Sequence, residues 1–113
     1  MLVQGRVSCP YHPELISYLT VELHDLDPLP WEIDDLMGRS HTFENGTFQV
    51  SGCGSDLGPS NTPDPYLKIT HFCPAKNTKG IPLKARHLKV DVIPVFLPNI
   101  LKLGRIRLDD DGY

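Results

Sequence analysis

Six carboxylates, Glu22, Asp25, Asp27, Glu32, Asp34 and Asp35, fall within one short stretch that contains no Lys or Arg. Carboxylates gathered in space repel one another unless a cation or a basic group compensates. Hard oxygen ligands of this kind suit calcium, which takes six to eight of them at about 2.3–2.6 Å. The Asp25-x-Asp27 spacing puts two carboxylates on one side of an extended strand end, within reach of one ion. Asp34, Asp35 and, from a separate segment, Asp64 complete the candidate ligand set. The glycine turn and terminal Glu of an EF-hand loop are missing, and Asp is also an ordinary turn former. A second segment has the opposite character. Val95, Phe96, Leu97, Ile100 and Leu101 lie between Pro94 and Lys102, and Pro94 and Pro98 discourage a central strand there. Such a loop either folds over the end of the domain or offers an apolar patch to a membrane or a protein. Phe96, Leu97 and Ile100 are the candidate contacts, and Lys102 would add attraction of about 1 kcal/mol near an anionic leaflet. Other chemistry lacks its residues. No G-x-S-x-G, phosphate loop, H-E-x-x-H or C-x-x-C occurs, and His12, His24, His41, His71 and His87 are scattered. The chain is expected not to be an enzyme.

The elements that position these residues are constrained by composition. A length of 113 residues, with 40% hydrophobic and 22% charged, predicts one globular domain over 1–113. No apolar run approaches a membrane span, and the alternating, polar Met1–Pro10 segment does not read as a signal peptide. Eleven Pro and nine Gly leave little room for long helices. A helical bundle, a coiled coil and a βαβ nucleotide-binding fold are thereby excluded. The net charge of −3 hides an asymmetry, because residues 68–107 carry nine Lys and Arg against Asp91 alone. Faces of opposite sign can simply aid solubility, or they can form an acidic pocket beside a basic surface. Without an aromatic-interleaved basic stripe, nucleic acid is not an expected partner.

Period-two alternation marks half-buried strands. It is seen at Val3–Val7, Leu19–His24, Phe48–Val50, Leu67–Thr70, Leu88–Val92 and Arg105–Leu108, and more weakly over 36–43. Single helical turns are placed in 31–37 or 76–84. Asn45-Gly46 between two candidate strands is a hairpin signal. Seven short strands predict an all-β, seven-stranded antiparallel immunoglobulin-like β-sandwich or open barrel. If successive strands reverse direction, alternate loops share an end. Cys9–Tyr18, Asn45-Gly46 and Cys73–Leu83 then lie at an upper end. The acidic loop, Gly52–Pro65 and Pro94–Lys102 lie at a lower one. That map pairs Cys9 with Cys73. Cys53 is left free, buried or available for an intermolecular disulfide that would make a homodimer. Asn45-Gly46-Thr47 is an N-glycosylation sequon on an exposed turn.

In combination, several segments resemble the nematode transthyretin-like family. They are Val3-Gln4-Gly5-Arg6-Val7-Ser8-Cys9, Val21-Glu22-Leu23-His24-Asp25-Leu26-Asp27, Asp34-Asp35-Leu36-Met37 and Thr42–Gly46 with Thr47–Gly52. Asp64–Cys73 and Leu103-Gly104-Arg105-Ile106-Arg107-Leu108 complete the set. The resemblance implies a prealbumin-like sandwich, a cleaved signal peptide (with Met1 an added start) and secretion. It also implies, from a characterised member, a bridge between exposed phosphatidylserine on dying cells and a phagocyte engulfment receptor. The alternative is an extracellular carrier of a small apolar ligand, as transthyretin carries hormone between subunits. Hydrolases of urate breakdown with this fold end in Tyr-Arg-Gly-Ser. This chain ends Asp109-Asp110-Asp111-Gly112-Tyr113, so the resemblance does not extend to their activity. The family often carries two further cysteines that are absent here.

Overall fold

The computed structural model describes residues 1–26, 35–52, 64–75, 84–93 and 99–109. Seven strands follow in order: β1 (Leu2–Ser8), β2 (Thr20–Asp25), β3 (Asp35–His41), β4 (Thr47–Ser51), β5 (Pro65–His71), β6 (Arg86–Asp91) and β7 (Leu101–Arg107). They form a three-stranded sheet, β4-β1-β7, and a four-stranded sheet, β3-β2-β5-β6. This is the expected all-β sandwich. A single 3-10 turn, Pro13–Ile16, links β1 to β2, whereas Asp35–Met37, within one of the two segments expected to hold a helical turn, is strand. The other segment, 76–84, lies outside the described residues except for Lys84.

Alternation explains which residues go inside. Val3, Val7, Phe48, Val50 and Ile106 from one sheet meet Val21, Leu23, Leu67, Ile69 and Leu88 from the other, all buried. Every pair of neighbouring strands is antiparallel except β1–β7, which is parallel. Strict reversal requires this. The first and seventh strands point the same way, so placing them side by side must align them.

Two bulges account for the places where the sequence pattern falters. Between Gln4 and Arg6 the partner strand advances from Lys102 to Arg105, one residue more than β1. Gly104 takes up that residue with φ +71, a conformation that side-chain-bearing residues rarely adopt. The extra residue lets Leu101 and Leu103 pack on the same core as Ile106 and Leu108. Leu101 and Lys102 therefore belong to β7 rather than to the preceding loop, where the sequence pattern put them. A second shift between Leu23 and His24 skips Met37, which is why the alternation of β3 is faint.

The two sheets come closest at β3 and β4. A Cβ on Gly38 would strike the Ser51 carbonyl, and one on Gly52 would strike the Met37 backbone. The other end is closed covalently. Cys9 and Cys73 are joined by a disulfide with Cα atoms 6.0 Å apart, and both residues are buried. Next to it, the Cys73 amide donates to His71 Nδ1 (3.1 Å), and Arg86 Nη1 donates to the Cys73 carbonyl (2.8 Å).

The bridge spans a sequence separation of 64 residues, and the chain-entropy relation for such a loop gives about 4 kcal/mol. Replacing both Cys9 and Cys73 with Ala is expected to lower the unfolding free energy in urea by about that amount. A loss below about 1 kcal/mol would show that sheet packing alone holds this end together.

Candidate functional site

The lower end is built where β2 stops and β3 and β5 start. Asp25, the last residue of β2, is the Cα partner of both Asp35 and Pro65. Its carboxylate oxygen Oδ1 accepts the Asp64 amide at 2.9 Å, and the Leu26 amide donates to the Asp64 carbonyl at 3.0 Å. Three of the five candidate ligand residues, Asp25, Asp35 and Asp64, are thus brought to one edge. One Asp25 oxygen is engaged in fixing the loop. Among the described residues, no group of three acidic, His or Cys side chains is disposed to hold a metal. Asp27 and Asp34 lie outside the described residues.

The same edge carries aliphatic side chains. Leu26 (40% exposed) follows β2, Leu36 (50%) is the second residue of β3, Ile93 (70%) follows β6, and Ile100 (41%) precedes β7. Strand pairing places all four at one end. Leu101 pairs with Val3 and Leu2 pairs with Ser51, which neighbours Gly38 of β3. Of the expected contact residues, Ile100 is on this rim and Lys102 is exposed on β7 beside it. Phe96 and Leu97 lie outside the described residues, as does Cys53. The opposite pole holds the disulfide, Asn45 and a different set of exposed side chains, the aromatics Tyr11, Tyr18, Phe43 and Phe72.

Just above the lower rim, the outer face of the four-stranded sheet carries a polar cluster that alternation alone does not reveal. Cross-strand register sets Arg39, Glu22, Lys68 and Lys89 in one row across β3, β2, β5 and β6. Arg39 donates from Nε (3.0 Å) and Nη2 (2.7 Å) to Glu22 Oε2. This guanidinium holds the Glu22 carboxyl below the usual carboxylate range, against the opposing effect of its burial. The next row stacks His24 on Tyr66, with ring centroids 5.3 Å apart and planes 11° apart. Lys89 Nζ lies 4.7 Å from the Tyr66 ring centre. Both ring nitrogens of His24 are buried without a hydrogen bond among the described residues, and Nε2 lies 3.5 Å from Glu22 Oε1. Lys68 and Lys89 stand directly opposite each other, flanked by acidic residues: Glu22 is the register partner of Lys68, and Asp91 Oδ1 lies 3.9 Å from Lys89 Nζ. A sequence signal did exist: Glu22, His24, Lys68 and Lys89 all occupy the polar phase of their strands. Only the register reveals that they are neighbours.

Comparison with known proteins identifies the architecture. The TTR-52 model of the transthyretin-like family matches residues 4–92. No curated protein matches the chain. Among solved structures, a 9R-lipoxygenase from Cyanothece PCC8801 is similar over 96% of this chain at 13% identity with a TM-score of 0.60. This chain covers 16% of that protein, so the likeness concerns the fold of one part of it. An (S)-allantoin synthase is similar over 94% of this chain and 40% of its own, at 15% identity and a TM-score of 0.46.

The Glu22–Arg39 pair yields a stability prediction. A carboxyl whose folded pKa is depressed contributes stability above its unfolded pKa, and loses it as pH falls through the folded value. Arg39→Ala leaves Glu22 buried without its main partner and is expected to cost about 1–2 kcal/mol at pH 7. It should also flatten the loss of stability between roughly pH 5 and pH 3. Urea titrations of both proteins across that range check the sign, and parallel pH profiles would refute the assignment.

Proposed function

We propose that this chain, which belongs to the transthyretin-like family, is an extracellular bridging protein. Its lower rim engages phosphatidylserine exposed on dying cells, and another surface engages a phagocyte receptor. The observation that carries the reading is the meeting of Asp25, Asp35 and Asp64 with exposed Leu26, Leu36, Ile93 and Ile100 on one edge. Aliphatic tips of this kind enter the boundary between headgroups and acyl chains, and isolated exposed apolar residues elsewhere on a protein need no such account.

The phosphatidylserine headgroup carries a phosphate, a carboxylate and an ammonium. Lys68 and Lys89 on the adjoining sheet face suit the anionic groups, while the rim carboxylates suit the ammonium or a bridging calcium ion. A calcium ion needs more oxygen ligands than the described residues bring together, so Asp27 and Asp34 would have to share it with Asp25, Asp35 and Asp64. Extracellular placement is supported by the Cys9–Cys73 bridge, since disulfides persist in oxidising compartments. A bridge needs a second face, and the opposite pole presents Tyr11 and Phe72, 78% and 45% exposed, away from the rim.

The test is flotation with neutral phosphatidylcholine vesicles and with vesicles containing phosphatidylserine, each with and without a calcium chelator. Binding is expected only to the anionic vesicles and to weaken with the chelator. The double variant Ile93→Asp, Ile100→Asp should reduce binding by about tenfold or more. Equal binding to both vesicle types, or an unaffected double variant, would remove the lipid reading.

A further inference from the structure

The upper end of the molecule contains a five-residue hairpin turn whose geometry is more specific than its sequence motif. Between β3 and β4, Phe43-Glu44-Asn45-Gly46-Thr47 closes with the Gly46 amide donating to the Phe43 carbonyl (2.9 Å). The Phe43 amide in turn donates to the Thr47 carbonyl (2.7 Å). Gly46 sits at φ +86, and a Cβ there would strike the Val7 carbonyl, so the turn requires glycine at this step. At the tip, Asn45 Oδ1 accepts both the Thr47 amide (3.1 Å) and the Thr47 hydroxyl (2.7 Å). The asparagine oxygen is therefore anchored by the residue that completes the sequon. Nδ2 has no hydrogen bond among the described residues.

Two aromatic rings flank this tip in the open. Phe43 is 64% exposed and Tyr18 is 69% exposed, and both line an open depression together with Glu44, Asn45 and Thr47. The depression is shallow and open to solvent, so a sugar ring can lie against the aromatic rings from outside. Tyr18 is the only described residue other than glycine at positive φ (+58), a strained conformation for a bulky side chain. It is held there by the hydrogen bond that its amide donates to the Thr42 carbonyl (3.1 Å), and the neighbouring Ser17 hydroxyl donates to the Glu44 carbonyl (2.6 Å). Nothing in the core needs either ring. The turn holds them at the surface beside the one asparagine that a sequon marks.

We propose that Asn45 carries an N-linked glycan whose first sugar rests on the exposed face of Phe43 beside Tyr18, and that this contact stabilises the fold. Asn45 Nδ2 forms a bond to the anomeric carbon of an oligosaccharide donor linked to a lipid pyrophosphate. The carbon–oxygen bond to the pyrophosphate breaks, and its electron pair leaves with the phosphate. The amide nitrogen loses one proton, and no oxidant or reductant is needed. Once attached, the sugar places its apolar C–H face on the ring and removes both surfaces from water. The attachment rests on the extracellular reading, because such donors act in the secretory lumen.

The experiment uses the full chain behind an appended secretion signal in a eukaryotic host. Wild type, Asn45→Gln, Phe43→Ala and Tyr18→Ala are compared by intact mass before and after treatment with a peptide N-glycosidase. Wild type is expected to carry a removable glycan that Asn45→Gln lacks. Trimming to the first sugar with an endoglycosidase should leave wild type melting about 4 °C or more above its unglycosylated form made in bacteria and oxidised. In Phe43→Ala the same comparison should show that gain largely abolished. A secreted, disulfide-bonded chain unmodified at Asn45, or an equal gain with and without the Phe43 ring, would overturn the proposal. The secretion signal is supplied, so the outcome is independent of vesicle flotation, which tests the lipid reading separately.

Discussion

Two sheets that bury alternate residues against each other, joined by strands that reverse direction at every step, impose a polarity on this molecule. Each loop must emerge at the end where its strands stop, so the six connections divide between two poles. The buried rows of Val3, Val7, Val21, Leu23, Leu67 and Ile69 hold the sheets face to face. The Cys9–Cys73 bridge fastens one pole, and the close approach of Gly38 to Ser51 fastens β3 to β4 near the other. The remaining features are consequences of this arrangement. Parallel pairing of β1 with β7 is a matter of odd-numbered strands meeting. Bulges at Gly104 and Met37 keep apolar residues facing inward when the chain carries one residue too many.

The two poles differ in chemistry. Aliphatic side chains and carboxylates collect at one, and exposed aromatics, the disulfide and a glycine-dependent turn collect at the other. The molecule thus presents two chemically distinct ends. Its outer sheet face adds a third element, a row of cations balanced in part by Glu22. Burying that carboxylate is tolerable because Arg39 supplies two hydrogen bonds to one of its oxygens. A Lys in the same place could not make the paired approach of a guanidinium.

Much of this was legible in the residues. Period-two alternation located six of the strands, because a half-buried strand leaves its signature in adjacent positions; β3, whose alternation a bulge interrupts, was placed by the turn that follows it. Asn45-Gly46 announced its hairpin, in which Gly46 alone takes the positive φ and Asn45 acts through its side-chain oxygen, which accepts from Thr47. The pairing of Cys9 with Cys73 followed from counting reversals. Leu101 and Lys102 were misplaced for a definite reason: the bulge at Gly104 resets the alternation, so a continuous strand reads as a loop followed by a short strand.

Local pattern is a property of neighbours in the chain, and it determined the strands, the turn, the core faces and the ends to which loops go. Register is a property of strands distant in the chain, and it depends on how whole faces interlock. Only the folded sheet could decide that Glu22 meets Arg39, that Tyr66 is stacked by His24 and approached by Lys89, and that one oxygen of the Asp25 carboxylate accepts the Asp64 amide. A shift of one residue would have turned each of those side chains to the opposite face.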